Sequence, residues 1–219
     1  MVKIAVLVSG GGTNLQALID AEAAGNIKNG EICAVVASRP DAYAITRAKQ
    51  AFIPTYVMRR RDYGSAEAYG EALGDLLEQL GIGLVVLAGF MTVLSDAFCR
   101  RFQNRIINVH PSLIPSFCGE GFYGLRVHEA ALQKGVKVTG ATVHFVSEVV
   151  DGGEIIAQKA VAVQPGDTPE VLQKRVMREA EWVLLPRAVS QFCEGRITVQ
   201  DGVVYIAAAD DDENEGENR

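Results

Sequence analysis

Several things are scarce in this chain, and each scarcity excludes a class of protein. Its four cysteines, Cys33, Cys99, Cys118 and Cys193, lie far apart with no Cys-x-x-Cys pair. That spacing does not suit a structural zinc site, and a chain of this length needs no covalent staples, so free thiols and no metal are expected. No apolar run approaches the ~18 residues of a membrane helix, and the opening strand-like run is too short for a signal peptide; a cytoplasmic protein with no membrane partner is the expectation. Positive charge is also short, with 21 Lys and Arg against 27 Asp and Glu and a formal net charge of −6. Nucleic acid or an anionic membrane would meet repulsion, which favours a small-molecule partner.

What the chain has in quantity is apolar surface. Its 219 residues are 48% hydrophobic, enough to bury one large core. Short β-branched runs at 3–8, 31–37, 84–88 and 106–109 are almost free of polar residues, as strands covered on both faces should be. Helical patterns at 14–24, 42–51, 65–80 and 95–102 alternate with them, and 55–57 adds a short strand. The expected fold is therefore α/β: a single domain with a mostly parallel, doubly wound, Rossmann-like sheet flanked by helices.

Beyond residue 108 the pattern turns mixed. It predicts a helix around 127–133, strands near 139–146 and 155–163, and one long helix from Pro169 with Thr168 as its cap. Asp201-Gly202 favours a tight hairpin between 197–200 and 203–206. The domain is expected to span 1–206. The remainder, 207–219, is an acidic tail with nothing apolar to bury from Asp210 onward, and disorder is its expected state.

Two segments carry candidate chemistry. Ser9-Gly10-Gly11-Gly12-Thr13-Asn14 joins the first strand to the first helix, where unpaired backbone N–H groups and the helix dipole favour an anion. It lacks the Gly-Lys-Ser/Thr ending of a nucleotide triphosphatase. Leu15 also stands where a dinucleotide fingerprint needs its third glycine, so a monophosphate is the better fit. The alternative is a turn with Thr13 or Asn14 as an ordinary helix cap. In Asn108-Val109-His110-Pro111-Ser112-Leu113-Ile114-Pro115, strand alternation puts Asn108 and His110 on one face at the sheet's carboxyl edge. An amide and an imidazole there can both meet an oxygen that becomes negative when an amine attacks a carbonyl. Asp151-Gly152-Gly153 supplies a carboxylate in a loop able to approach closely; taken singly, Asp151 also reads as a turn starter and His110 as a satisfied core histidine.

Together with Leu87-Ala88-Gly89-Phe90-Met91, these motifs resemble, in order and over nearly the whole chain to about Ile206, the folate-dependent formyltransferase family. Within it the likeness is to the branch that acts on glycinamide ribonucleotide. The resemblance implies catalytic roles for Asn108, His110 and Asp151, and 10-formyltetrahydrofolate as co-substrate with no metal. It implies substrate phosphate at Gly12, Thr13 and Asn14, and a substrate-binding glutamate at Glu181. Met91, Thr92, Val93 and Leu94, with Asn108, would line the folate pocket. Trp182, Thr92 and Ala66 depart from the pattern: a histidine is common at the first, and some members carry arginine at the other two. The loop 116–124 is longer than in the enterobacterial type.

Three further residues invite roles. Cys118 has no histidine tied to it by a motif, and formyl transfer to an amine needs no covalent intermediate, so it is not read as a nucleophile. His144, alternating with Thr142 on a strand, is expected to support the site from behind. His128, beside Glu129 on a helical stretch, is expected on the surface. Related activities include a formyltetrahydrofolate hydrolase, whose relatives usually carry an added N-terminal domain, and a methionyl-tRNA formyltransferase, which would need basic charge and a tRNA-binding domain. A phosphate-ligand sensor that keeps the fold without turnover is the alternative from another class.

Overall fold

A computed structural model of the chain describes residues 1–209; the acidic stretch from Asp210, expected to be disordered, lies outside the described residues. The elements run β1 (Val2–Val8), α1 (Thr13–Ala23), β2 (Gly30–Ala37), α2 (Tyr43–Gln50), β3 (Thr55–Val57), α3 (Ala66–Gln79), β4 (Leu84–Leu87), α4 (Asp96–Arg101) and β5 (Ile106–His110). They continue through α5 (Leu125–Lys134), β6 (Val138–Phe145), β7 (Ile155–Ala162), α6 (Pro169–Val176), α7 (Trp182–Cys193), β8 (Ile197–Gln200) and β9 (Val203–Ile206). The expected α/β sandwich is present: a seven-stranded sheet in the order β3-β2-β1-β4-β5-β6-β7, with helices on both faces.

Strands β1 to β5 pair in parallel, whereas β6 pairs antiparallel with both β5 and β7 on the same sheet. Alternation along each strand divides the core. Val6, Val86, Ile107 and Val143 point to the layer holding α1, α6 and α7. Leu7, Val85 and Ile106 point to the layer of α3 and α4 with Leu73, Leu77 and Phe98. Ser65, Ser95 and Thr168 cap α3, α4 and α6 by accepting backbone N–H bonds from the third residue on, each worth about 1 kcal/mol.

Two expectations fail here. The helix from Pro169 is not continuous, because a π-helical turn at Met177–Glu181 separates α6 from α7. Such a turn inserts one extra residue, so the buried face shifts and takes Ala180 and Glu181 inside. His128 is not on the surface either. The buried stripe of α5 runs through Val127, His128 and Ala131, leaving His128 0% exposed with neither ring nitrogen paired among the described residues. Burial first, and His110 second, lower its pKa to about 4.

Candidate active site

Strand order reverses between β1 and β4, and in open α/β sheets ligands bind outside the carboxyl ends of the strands at such a switch. Ser9, at the end of β1, fastens the two loops there: its Oγ accepts from the Met91 backbone N–H at 2.8 Å and from the Ser38 hydroxyl at 2.7 Å. The sequence pattern did not mark Ser9 as more than part of the glycine loop. Gly12 itself caps α1, at φ 72°, and neither Thr13 nor Asn14 does. A Cβ on Gly12 would stand 2.7 Å from the Ala44 Cβ, so both conformation and space require glycine.

Asn14 is buried behind that turn. Its Nδ2 donates to Glu181 Oε2 at 2.7 Å, joining the first turn of α1 to the π turn, while its Oδ1 is buried without a partner among the described residues. Burial pushes the Glu181 carboxyl up to about 7, against the smaller opposing effect of the Asn14 hydrogen bond. Thr13 remains half-buried at the helix start, where first-turn N–H groups have no intrahelical acceptor.

The second cluster is built across β5, β6 and the loop after them. Antiparallel pairing sets Asn108 opposite His144 and His110 opposite Thr142, all on the face away from Ile107 and Val109. His144 Nδ1 faces the Phe145 carbonyl at 2.7 Å, which can only accept, so that nitrogen carries the hydrogen. Burial lowers the His144 pKa, which favours the neutral ring; Nε2 then accepts from the Asn108 amide at 3.1 Å and holds it in place. Asp151 lies between both rings, 3.4 Å from His110 Nδ1 and 3.7 Å from His144 Nε2.

Asp151 adopts φ 54°, a conformation that aspartate tolerates better than most side chains. Its loop can approach because a Cβ on Gly153 would collide with the Phe145 carbonyl oxygen. A bulge between Val143 and His144 shifts the β6–β7 register at this point.

The long loop after β5 also enters the cluster, a contribution that spacing alone did not reveal. His110 Nε2 donates to the Phe117 carbonyl at 2.8 Å, and the Gly119 N–H donates to Asp151 Oδ2 at 2.9 Å. Thr142 fastens the start of the loop, donating to the Ser112 carbonyl and accepting from the Ile114 N–H and the Gln158 amide. Cys118 is half-buried and its thiol donates to the Pro115 carbonyl; burial, then Asp151, raises its pKa, so a thiolate is disfavoured.

Of the residues expected to line a folate pocket, Met91 and Val93 are 54% and 71% exposed and Thr92 is half-buried, whereas Leu94 is turned into the core. Val149 and Val150, next to Asp151 in the chain, are exposed apolar residues that the sequence reading did not single out. Two surface depressions of about 470 and 420 Å³ flank α1 and α7 and share Trp182, but neither includes Asn108, His110 or Asp151. The Phe117–Gly119 segment is hydrogen-bonded to His110 and Asp151 of that cluster. No helix among the described residues is long and apolar enough to cross a membrane.

Comparison with known proteins gives the same direction. The family model described as formyl transferase matches residues 2–189. The phosphoribosylglycinamide formyltransferase of Haemophilus influenzae is 42% identical over 206 residues, covering 94% of each chain. The crystal structure of glycinamide ribonucleotide transformylase 1 from Symbiobacterium toebii superimposes with a TM-score of 0.89 at 42% identity, covering 95% of each chain. A formyltetrahydrofolate deformylase from Pseudomonas syringae superimposes at 0.83 with 26% identity and 66% of its length covered. With its glycine loop, its Asn108–His110–Asp151 cluster and these matches over nearly its full described length, the chain belongs to the formyl transferase family.

Proposed function

We propose that this chain transfers the formyl group of 10-formyltetrahydrofolate to the amine of glycinamide ribonucleotide, a step of purine synthesis in the cytoplasm. The observation that carries this reading is the placement of the Asn108 amide and His110 imidazole on one face of β5 with Asp151 behind them. The substrate's phosphate binds the first-turn N–H groups after Gly12, and Glu181 meets its sugar. The folate ring lies against the 91–94 loop.

The neutral amine attacks the formyl carbon, forming the new C–N bond and a tetrahedral oxyanion. Asn108 and His110 donate to that oxygen, a contribution of about 2.7–4 kcal/mol per donor. His144 acts on the reaction through Asn108, by accepting from its amide and fixing its direction. Asp151 helps carry a proton, through water, from the attacking amine to the folate nitrogen, whose bond to the formyl carbon then breaks. His110 Nε2 is engaged by the Phe117 carbonyl, so the formyl oxygen must take that carbonyl's place.

The test is an assay with 10-formyltetrahydrofolate with and without glycinamide ribonucleotide. Formylated product only with the amine supports transfer. Folate deformylation at the same rate without it would establish hydrolysis, the reading that the deformylase likeness favours. Binding of the ribonucleotide with no turnover would leave a sensor.

A further inference from the structure

Asn14 and Glu181 are 167 residues apart in sequence, yet they make a buried side-chain pair beside the glycine loop. Glu181 is 4% exposed and Asn14 8% exposed. Two features make the pair unusual. The acid has one side-chain hydrogen-bond partner among the described residues, and that partner is an amide, which has two interchangeable faces. The amide's other end, Oδ1, is buried with no donor among the described residues. A buried acceptor left unpaired costs about 1–3 kcal/mol, so the arrangement suits a ligand that brings a donor.

Among the described residues, no ion pair reaches Glu181 from the elements packed around it. Of the nearby charged groups, Arg178 and Glu179 on its own turn, Lys174 on α6, Arg187 on α7 and Lys159 on β7 are exposed. Arg175 is paired with Asp167, Arg47 is bonded to the Gly11 carbonyl and Gln16, and His144 is bonded to Asn108 and Phe145. Among the described residues, the Asn14 hydrogen bond favours the Glu181 carboxylate and burial, the larger effect, opposes it.

We propose that Asn14 and Glu181 form one proton-controlled recognition unit, in which the Asn14 amide turns over with the charge of the acid and sets what the substrate's hydroxyl groups meet. With Glu181 ionised, Nδ2 donates to the carboxylate and Oδ1 faces the ligand, so the unit offers acceptors to hydroxyl donors. With Glu181 protonated, its O–H donates to Oδ1 and the NH2 group faces the ligand instead, which no longer suits a hydroxyl donor. Asn14 is thus a positioning residue for Glu181, and its side chain is not a phosphate ligand. Substrate binding selects the ionised pair and releases a proton. The near-neutral titration that burial imposes on Glu181 places this exchange in the physiological range.

The inference rests on the substrate site proposed above, and its first test does not need substrate. In the free protein, the side-chain carboxyl carbon assigned to Glu181 by its loss in Glu181→Gln should titrate near neutrality, and the Asn14 NH2 resonances should move with the same midpoint. Asn14→Ala removes the donor that favours the carboxylate and should shift that midpoint to higher pH. A flat Glu181 signal, or an Asn14 amide indifferent to its titration, overturns the proposal.

The second test uses turnover with glycinamide ribonucleotide. A group titrating near 7 is about one tenth ionised at pH 6 and about nine tenths at pH 8. The ratio of wild-type KM to that of Glu181→Gln should therefore fall about tenfold over this range, while the ratio of kcat values stays level. A purely structural role would give parallel KM profiles, and parallel profiles overturn the proposal. Absence of any turnover with this substrate would instead count against the assigned function, leaving the titration to decide the pair.

Discussion

The two buried polar clusters at the carboxyl side of the sheet are built in opposite ways. Asp151 lies within 4 Å of a nitrogen of each of two imidazoles and accepts a backbone N–H from Gly119. Among the described residues Glu181 has a single amide partner and no charged one, and burial drives its pKa upward. A buried acid is tolerated either by compensating its charge or by letting it take a proton. The first solution holds a charge ready where one is needed; the second makes the charge conditional. The cluster at β5 and β6 is suited to chemistry and the pair at α1 to recognition.

The largest effect that could break this contrast comes from Asp151→Asn, which keeps the shape and removes the charge. Steady-state kinetics should show kcat lowered about 10²–10⁴-fold, the usual scale for a proton-transfer group, with KM changed little. Near-normal turnover would mean that the compensated charge is not used. Loss of substrate binding with kcat preserved would make Asp151 a loop anchor.

His128 extends the comparison to a buried base with no hydrogen-bond partner among the described residues. Its folded pKa, about 4, lies below the ordinary value of 6.5. The unfolded chain therefore takes up the proton first, so the histidine's stability contribution is intact above about pH 6.5 and is lost as pH falls toward 4. The full difference is about 3 kcal/mol. Urea unfolding of His128→Leu should lose this acid sensitivity and match or exceed the wild type at pH 7, because no paired nitrogen is removed. Equal pH slopes in the two proteins would show that His128 is partnered.

The smallest effect concerns the backbone that carries the recognition pair. Gly12→Ala forces a side chain into a left-handed cap and against Ala44, at a cost of about 1–3 kcal/mol. Thermal unfolding should report that loss, and KM for the ribonucleotide should rise more than kcat falls. An unchanged KM would separate the glycine loop from substrate binding.

Periodicity made most of the fold readable. The strands at 55–57, 197–200 and 203–206 have the bounds the pattern predicts, and the other parallel strands and their helices differ by a residue or so at each end. The same-face placement of Asn108 and His110 also followed from strand alternation. The misses share a cause. His128 is buried although its polarity predicts exposure, and the π turn is not legible because a single inserted residue leaves no clear mark on a helical pattern. Ser9, Thr142 and the Phe117–Gly119 segment went unmarked because their roles depend on contacts between loops distant in sequence.

The sequence by itself determined the α/β alternation, the glycine turn at the first helix and the residue types available for chemistry, because each depends on local spacing and on the conformational limits of a few side chains. Tertiary structure alone decided which of those residues share an environment. It set Asp151 between two histidines, turned Leu94 inward, laid the Phe117 carbonyl on His110 and buried Glu181 against Asn14. Charge and hydrogen bonding at a buried atom depend on whatever surrounds it, and those surroundings form only when segments far apart in the chain are packed together.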